Sequence, residues 1–274
     1  MIWVRGQIVA DDALQVSVLD RTFEHGLGLF ETCRTWSGHP TLLRRHLRRL
    51  RRSAAELDLA LDPASLPDSQ AVRDLLNADG REGDALLRIT LSGGLSASRA
   101  GALWMRSFPL PDPAGEGGII LGAGGPAPGD PLAGHKTLNY WHNRLMFEDA
   151  RDKGFDESLS ISPDGIVWEG SRSNFFVVID GELLTPPCDG RVLPGIMRAL
   201  ILEQAIRLGL NVRETPLRLV DPSFRPQEVF LTNSVRGILP VGQWGAARYP
   251  VPGPIARRLW DEILPWLESG GTRA

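Results

Sequence analysis

Lysine is nearly missing from this chain: of thirty Lys and Arg residues, only Lys136 and Lys153 are lysine. Arginine replaces lysine readily for solubility and ion pairing, but its guanidinium stays protonated and cannot become the neutral amine that a desolvated lysine can. The scarcity therefore draws attention to two positions where an amine as such is retained. Lys153 precedes Gly154 in the last turn of an expected helix, where a cation is favoured by the free carbonyls and the helix dipole. Lys136, in Gly134-His135-Lys136-Thr137-Leu138-Asn139-Tyr140, sits where a strand-like stretch gives way to a helical one, and is the candidate for amine chemistry.

Other shortages exclude whole classes. Cys33 and Cys188 are too few for a disulfide framework and have no metal-ligand company, so both read as small core or near-core residues. His25, His135 and His142 have no metal-ligand spacing, and no metal is expected. No apolar run approaches the ~20 residues that span a bilayer. Met1-Ile2-Trp3-Val4-Arg5 does not open a signal peptide, so a cytoplasmic protein without a membrane partner is expected. A net charge of −3 does not favour nucleic acid. The one basic concentration is the arginine cluster at 44, 45, 48, 49, 51 and 52, and Leu43, Leu47, Leu50, Ala54 and Leu57 recur through it at helical spacing. Most of that cluster is the solvated face of an amphipathic helix. Gly26-Leu27-Gly28 and Gly122-Ala123-Gly124-Gly125 complete no dinucleotide fingerprint between a strand and a helix.

A chain of 274 residues, 42% hydrophobic and 23% charged, can bury a sizeable core and is expected to form two compact halves. The Pro/Gly-rich stretch from Phe108 to Gly118 marks the boundary. The expected division is a smaller N-terminal α/β domain over 1–112, a linker over 113–118, and a larger C-terminal domain over 119–274. The first half begins with short strands at Ile2 to Arg5 and Gln7 to Val9, continues with Leu29 to Trp36 and the arginine-rich helix, and closes with strand Ala85 to Leu91. The second holds a helix after Lys136, a helix opening at Leu193-Pro194-Gly195-Ile196-Met197-Arg198, strand Glu228 to Thr232 and a C-terminal helix. Between these, apolar runs on either side of Asp164-Gly165 read as a β-hairpin.

The hairpin places Glu169 near a strand end, beside Trp168 and the segment Gly170-Ser171-Arg172-Ser173-Asn174. Carboxylates in such surroundings are rarely buried without a partner. A lysine and a buried carboxylate are the two groups pyridoxal phosphate needs from a protein. The lysine forms a Schiff base with it, and the carboxylate keeps its pyridine nitrogen protonated so that the ring is an electron sink. Its phosphate needs free backbone N–H groups, and the helix start at Pro194-Gly195-Ile196-Met197 offers those of Ile196 and Met197, with proline suited to the first turn and glycine to close approach.

Lys136-Thr137-Leu138-Asn139 together with Glu169-Gly170-Ser171-Arg172-Ser173-Asn174 resembles the class IV, or fold-type IV, pyridoxal-phosphate enzymes: branched-chain and D-amino-acid aminotransferases and aminodeoxychorismate lyase. The run from Leu19 to Thr32 resembles that family's opening segment, and His46-Leu47-Arg48-Arg49-Leu50 its following helix, so the likeness covers nearly the whole chain. It implies a mixed α/β two-domain fold with a pseudo-barrel of strands in the larger domain, pyridoxal 5'-phosphate as cofactor, a small amine or amino-acid-like substrate, and a homodimer. It further implies that Lys136 is catalytic and that Ile196 and Met197 hold the phosphate, with Arg49 as its charged partner and Asn233-Ser234 as a further contact. Ser173 and Asn174 fall on the cofactor side, and Phe30 and Tyr140 on the substrate side. Substrate carboxylates are expected to meet arginine, whose fork binds them bidentately. Arg236 ranks first because it lies in the matching motif, followed by Arg99 and Arg106.

The segment from Phe230 to Val241 looks most like the lyase, which implies 4-amino-4-deoxychorismate cleavage to 4-aminobenzoate and pyruvate. Branched-chain transaminases usually space the lysine and the Asn-Tyr pair one residue wider than Lys136 and Asn139-Tyr140, and D-amino-acid aminotransferases usually carry Arg-x-His where Arg99-Ala100-Gly101 stands. Amino transfer is the alternative, and a cofactor-free binding protein the remote one.

Overall fold

The computed structural model describes residues 1–81, 83–112, 118–123 and 130–271. The chain divides into two compact units. One comprises Met1–Pro111, His135–Asn139 and Pro265–Ala274, and the other Asp112–Gly134 and Tyr140–Leu264. Two segments that a continuous division at 113–118 assigns to the C-terminal half thus pack with the first unit, the lysine segment among them. Of the expected linker, residues 113–117 lie outside the described residues.

The first unit is built on a five-stranded antiparallel sheet. Its strands are β1 (Ile2–Val4), β2 (Gln7–Val9), β3 (Gly28–Arg34), β4 (Leu86–Ser92) and β5 (Leu103–Phe108), in spatial order β2-β1-β5-β4-β3. The short helix α1 (Arg21–His25) precedes β3, capped by Asp20, whose carboxylate accepts from Thr22 N. Between β3 and β4 come α2 (Leu43–Glu56) and α3 (Ser69–Ala78). The arginine-rich stretch is α2, and its Leu43, Leu50 and Ala54 are buried in one core with Leu29, Cys33, Leu87, Ile89, Leu91 and Met105 of the sheet. Each such leucine contributes roughly 1.5–3 kcal/mol of burial. Strand alternation sends Leu29, Glu31 and Cys33 towards α2 and Phe30 to the opposite face.

Residues 136–138 line the outer edge of β3. Phe30 N donates to Lys136 O at 2.9 Å, Leu138 N donates to Gly28 O at 3.0 Å, and Leu29 and Thr137 form an antiparallel bridge. Only glycine fits at position 28. Its φ is +142°, and a Cβ would stand 2.6 Å from Leu138 Cδ1 and 2.7 Å from Leu91 O.

The second unit contains β6 (Ile119–Ala123), α4 (Trp141–Asp152), β7 (Glu157–Ile161), β8 (Ile166–Gly170), β9 (Asn174–Ile179) and β10 (Glu182–Thr185). It continues with α5 (Ile196–Arg207), β11 (Val212–Glu214), β12 (Leu217–Arg218), β13 (Glu228–Asn233), β14 (Gly237–Trp244), β15 (Ala247–Arg248) and α6 (Pro254–Glu268), of which the residues from Pro265 on belong to the first unit. The β8–β9 pairing closes the path β9-β13-β14-β6-β7-β8 on itself, giving the expected strand barrel. Leu121, Leu159, Val167, Phe175, Val177, Leu231, Leu239 and Val241 share its core. The other face of β9 and β13 carries Asn174, Phe176, Phe230 and Thr232, with Phe176 and Phe230 stacked at 5.1 Å, and β13 packs against α5. The Asp164-Gly165 hairpin forms between β7 and β8, with Gly165 at φ +79°.

Two expectations are corrected. Pro194 precedes the N-cap of α5, which is Gly195, so the proline ends the approach to the helix instead of starting its first turn. Cys188 is exposed in the stretch after β10, beyond the end of the core strand, while Cys33 is buried as expected. No helix among the described residues is long and apolar enough to cross a membrane.

Candidate active site

In the first unit, Lys136 Nζ stands 4.3 Å from the centroid of the buried Phe30 ring, and the Arg88 guanidinium stands 3.9 Å from the same ring. The ring's negative face attracts both cations. Arg88 lies opposite Thr32 in the β3–β4 register, and so on the face to which Phe30 points. Sequence reasoning passed over Arg88. Its signal was available in the period-two pattern of Leu87-Arg88-Ile89, where an arginine interrupts a buried strand on one face only.

On the α2 side of the same sheet, Glu31 is 1% exposed and accepts three hydrogen bonds. Arg49 Nε donates to Oε1 at 2.8 Å, Arg49 Nη2 to Oε2 at 2.6 Å, and His46 Nδ1 lies 2.6 Å from Oε2. Burial pushes this carboxyl up, but the charge and fork of Arg49, aided by His46, hold it at about 2. Burial also pushes His46 down, which keeps its imidazole neutral near pH 7. Among the six clustered arginines, Arg49 alone is buried. Its shown partner is a carboxylate of its own unit. Neither Glu31 nor His46 was weighed from sequence as a site residue, because 15 and 18 residues separate Glu31 from its two partners.

In the second unit, Glu169 lies near the end of β8 and is held from two directions. Asn174 Nδ2 donates to Oε2 at 3.0 Å, and Leu193 N donates to Oε1 and Oε2 at 3.1 and 3.2 Å. Asn174 also donates to Leu193 O at 2.9 Å. Its Oδ1 lies where Gly195 has no side chain: a Cβ there would be 1.8 Å away. Glu169, Asn174 and the start of α5 are therefore one packed group. No side chain caps α5, so the first-turn amides of Ile196 and Met197 stand at the positive end of a 12-residue helix.

The other expected residues are placed as follows, each within its own unit. Ser173 Oγ donates to Glu157 Oε2 at 3.1 Å, and Glu157 Oε1 accepts from Ser158 N, Ser171 N and Ser171 Oγ. The Ser173 hydroxyl thus shapes the turn between β8 and β9. Asn233 Oδ1 accepts from Val235 N at 3.0 Å and Arg236 N at 2.8 Å, folding the turn that carries Ser234 and half-exposes Arg236. Tyr140 OH donates to Ser171 O at 3.2 Å, joined there by Asn143 Nδ2 at 2.9 Å. Arg99 and Arg106 are both exposed, Arg99 in a turn bridged to Ser96 and Arg106 on β5 beside the Phe108 ring. Lys153 is the C-cap residue of α4 and pairs with Asp149 at 2.7 Å, the ordinary role its position suggests.

This donor set fits pyridoxal phosphate. Glu169 is an oriented carboxylate for a protonated ring nitrogen, the uncapped start of α5 suits an anionic phosphate, and the missing Cβ of Gly195 lets Asn174 pack against that helix start while it holds Glu169.

Comparison with known proteins agrees. The family model for amino-transferase class IV matches residues 28–244. A putative branched-chain-amino-acid aminotransferase of Methanocaldococcus jannaschii is 32% identical over 252 residues, covering 88% of this chain and 86% of that protein. The aminodeoxychorismate lyase of Bacillus subtilis is 29% identical over 257 residues, covering 88% and 85%. The solved PLP-bound form of a hypothetical aminotransferase from Mycobacterium tuberculosis superposes with a TM-score of 0.81 at 26% identity, covering 99% of this chain and 100% of that one. With most of its length matched by that model and a relative above 30% identity, this chain belongs to the class IV aminotransferase family of pyridoxal-phosphate-dependent enzymes.

Proposed function

We propose that this enzyme transfers the amino group of a primary amine that also bears a carboxylate, with Lys136 as its catalytic lysine. The observation that carries this reading is the Phe30 ring shared by Lys136 Nζ at 4.3 Å and the Arg88 guanidinium at 3.9 Å. An amine that takes up and releases protons and a guanidinium suited to a carboxylate are the two groups an amino acid requires. The bound cofactor supplies the electron sink. Lys136 Nζ accepts the proton beside the substrate nitrogen and returns it; Glu169 keeps the cofactor's ring nitrogen protonated; Ile196 and Met197 amides bind its phosphate, and Arg49, oriented by Glu31, is its charged partner by the family resemblance. Tyr140, oriented by Ser171 O, lies at the start of α4 on the substrate side. The branched-chain aminotransferase relatives favour amino acids with apolar side chains as donors, and a homodimer is part of the same reading.

A second reading is elimination of pyruvate from aminodeoxychorismate, favoured by the segment from Phe230 to Val241 and by the Bacillus subtilis relative at comparable identity. Acceptor dependence separates the two. A transaminase stalls after one half-reaction unless a keto acid is added, whereas a lyase regenerates its cofactor form in every cycle. Amino-acid turnover that requires a keto acid, with no 4-aminobenzoate from aminodeoxychorismate, supports amino transfer. Release of 4-aminobenzoate and pyruvate without any acceptor overturns it in favour of the lyase.

A further inference from the structure

Thr232 is 1% exposed, and its Oγ1 is buried without a hydrogen-bond partner. Such a hydroxyl is costly unless something satisfies it, and most buried polar side chains in proteins are satisfied. The register shows what it faces. Thr232 is paired directly with Asn174 across the β13–β9 ladder, so the two side chains are neighbours on one face. Asn174 in turn lies against Gly195 at the start of α5, and β13 itself packs on that helix. Two residues earlier on the same face, Phe230 stacks on Phe176 and closes the space below. The next residue, Asn233, has its Oδ1 engaged as the acceptor of the Val235 and Arg236 amides.

We infer that the Thr232 hydroxyl is a further anchor for the cofactor's phosphate, completing with the Ile196 and Met197 amides the cradle at the start of α5. The inference rests on the reading of that helix start as the phosphate site. A threonine O–H donated to an anionic oxygen is a charge-assisted hydrogen bond, and the buried position lets it keep that strength. In the absence of an anion the same hydroxyl is a liability to the fold. The side chain therefore has opposite effects on stability and on cofactor affinity, a pattern a purely structural threonine does not show.

The test uses full-length Thr232→Val and Thr232→Ser chains stripped of cofactor. Equilibrium binding of pyridoxal 5'-phosphate and of pyridoxal is measured by absorbance and intrinsic fluorescence, with melting curves in parallel. Loss of one hydrogen bond to a charged group predicts that Thr232→Val raises the Kd for pyridoxal 5'-phosphate about 10-fold to 100-fold. Its Kd for pyridoxal stays at the wild-type value, Thr232→Ser binds both like wild type, and cofactor-free Thr232→Val melts no lower than wild type. Unchanged affinity of Thr232→Val for pyridoxal 5'-phosphate overturns the inference and leaves the α5 reading intact. Equal weakening towards both ligands, or a lower melting temperature without cofactor, also overturns it, since the hydroxyl then supports the fold. A wild-type chain that binds the two ligands equally removes the α5 phosphate reading itself, and the role of Thr232 with it.

Discussion

Asn174 and Glu169 are joined at 3.0 Å, and the amide that makes this bond also donates to Leu193 O at 2.9 Å, while Leu193 N returns to the carboxylate. The carboxylate proposed to face the cofactor's ring nitrogen is thus oriented by a strand residue on one side and by the approach to α5 on the other. Asn174→Ala and Glu169→Gln should each weaken cofactor binding and slow turnover. Because the two groups act together, a double-mutant cycle on cofactor affinity should show a coupling of about 0.5–3 kcal/mol. Additive losses would mean that Asn174 does not act through Glu169.

Gly195→Ala should disturb the same group by a steric route. The new Cβ would lie 1.8 Å from Asn174 Oδ1, so the asparagine has to move and Glu169 loses its side-chain donor. Pyridoxal and pyridoxal 5'-phosphate should both bind more weakly, by about 10-fold or more if a hydrogen bond to the carboxylate is lost. Wild-type affinity for both would show that the backbone relaxes around the methyl group.

The acid limb of stability should belong largely to Glu31. Its carboxyl, ordinarily near 4.5, is held at about 2 in the folded chain. A depressed folded value means that the stabilisation is present above the unfolded value and lost as pH falls through the folded one. Urea melts from pH 6 down to pH 2 should therefore lose on the order of 3 kcal/mol from this group, mostly between about pH 4.5 and 2. Glu31→Gln should start lower, because Arg49 is left as a buried charge without its counter-ion, and its profile should be flatter over that window. A wild-type profile that is already flat there would remove Glu31 from the account of acid stability.

Lys136→Ala should abolish covalent fixation of the cofactor. Borohydride treatment of the wild-type holoenzyme should add the cofactor's mass to a single peptide containing Lys136 and leave Lys153 unmodified, and the variant should gain no such mass. Turnover in the variant should fall by at least the ~10²-fold to 10⁴-fold that a proton-transfer group contributes. Label on the Lys153 peptide would reassign the catalytic amine.

Lys136 and Glu169 could be singled out as candidates because each stands out locally: one by the near-absence of its residue type, the other by its place at the end of a hairpin. The α2 helix was legible for a similar reason, its apolar spacing persisting through a dense arginine cluster. What stayed hidden depends on pairings between distant positions. Glu31 reads as one polar residue in a strand until α2 brings His46 and Arg49 over it, and the bond from Ser173 to Glu157 appears only once β7 brings Glu157 beneath the β8–β9 turn. The membership of residues 135–139 was equally invisible, since a strand edge is a property of the neighbour it joins. Arg88 was marked in the sequence by the period-two pattern around it, but the Phe30 ring it covers is a contact that only the fold supplies.

The edge pairing of residues 136–138 with β3 also fixes how the proposed catalytic amine can travel. Its carbonyl is taken by Phe30 N, its second neighbour is tied to Gly28 O, and Gly28 tolerates no larger side chain against Leu138. The main chain is thus a fixed mooring, and reach and return fall to the four methylenes of the lysine stem, swinging over an aromatic floor. A reagent on so short a leash cannot diffuse away when displaced by substrate, and its high local concentration is inherited from the strand beside it.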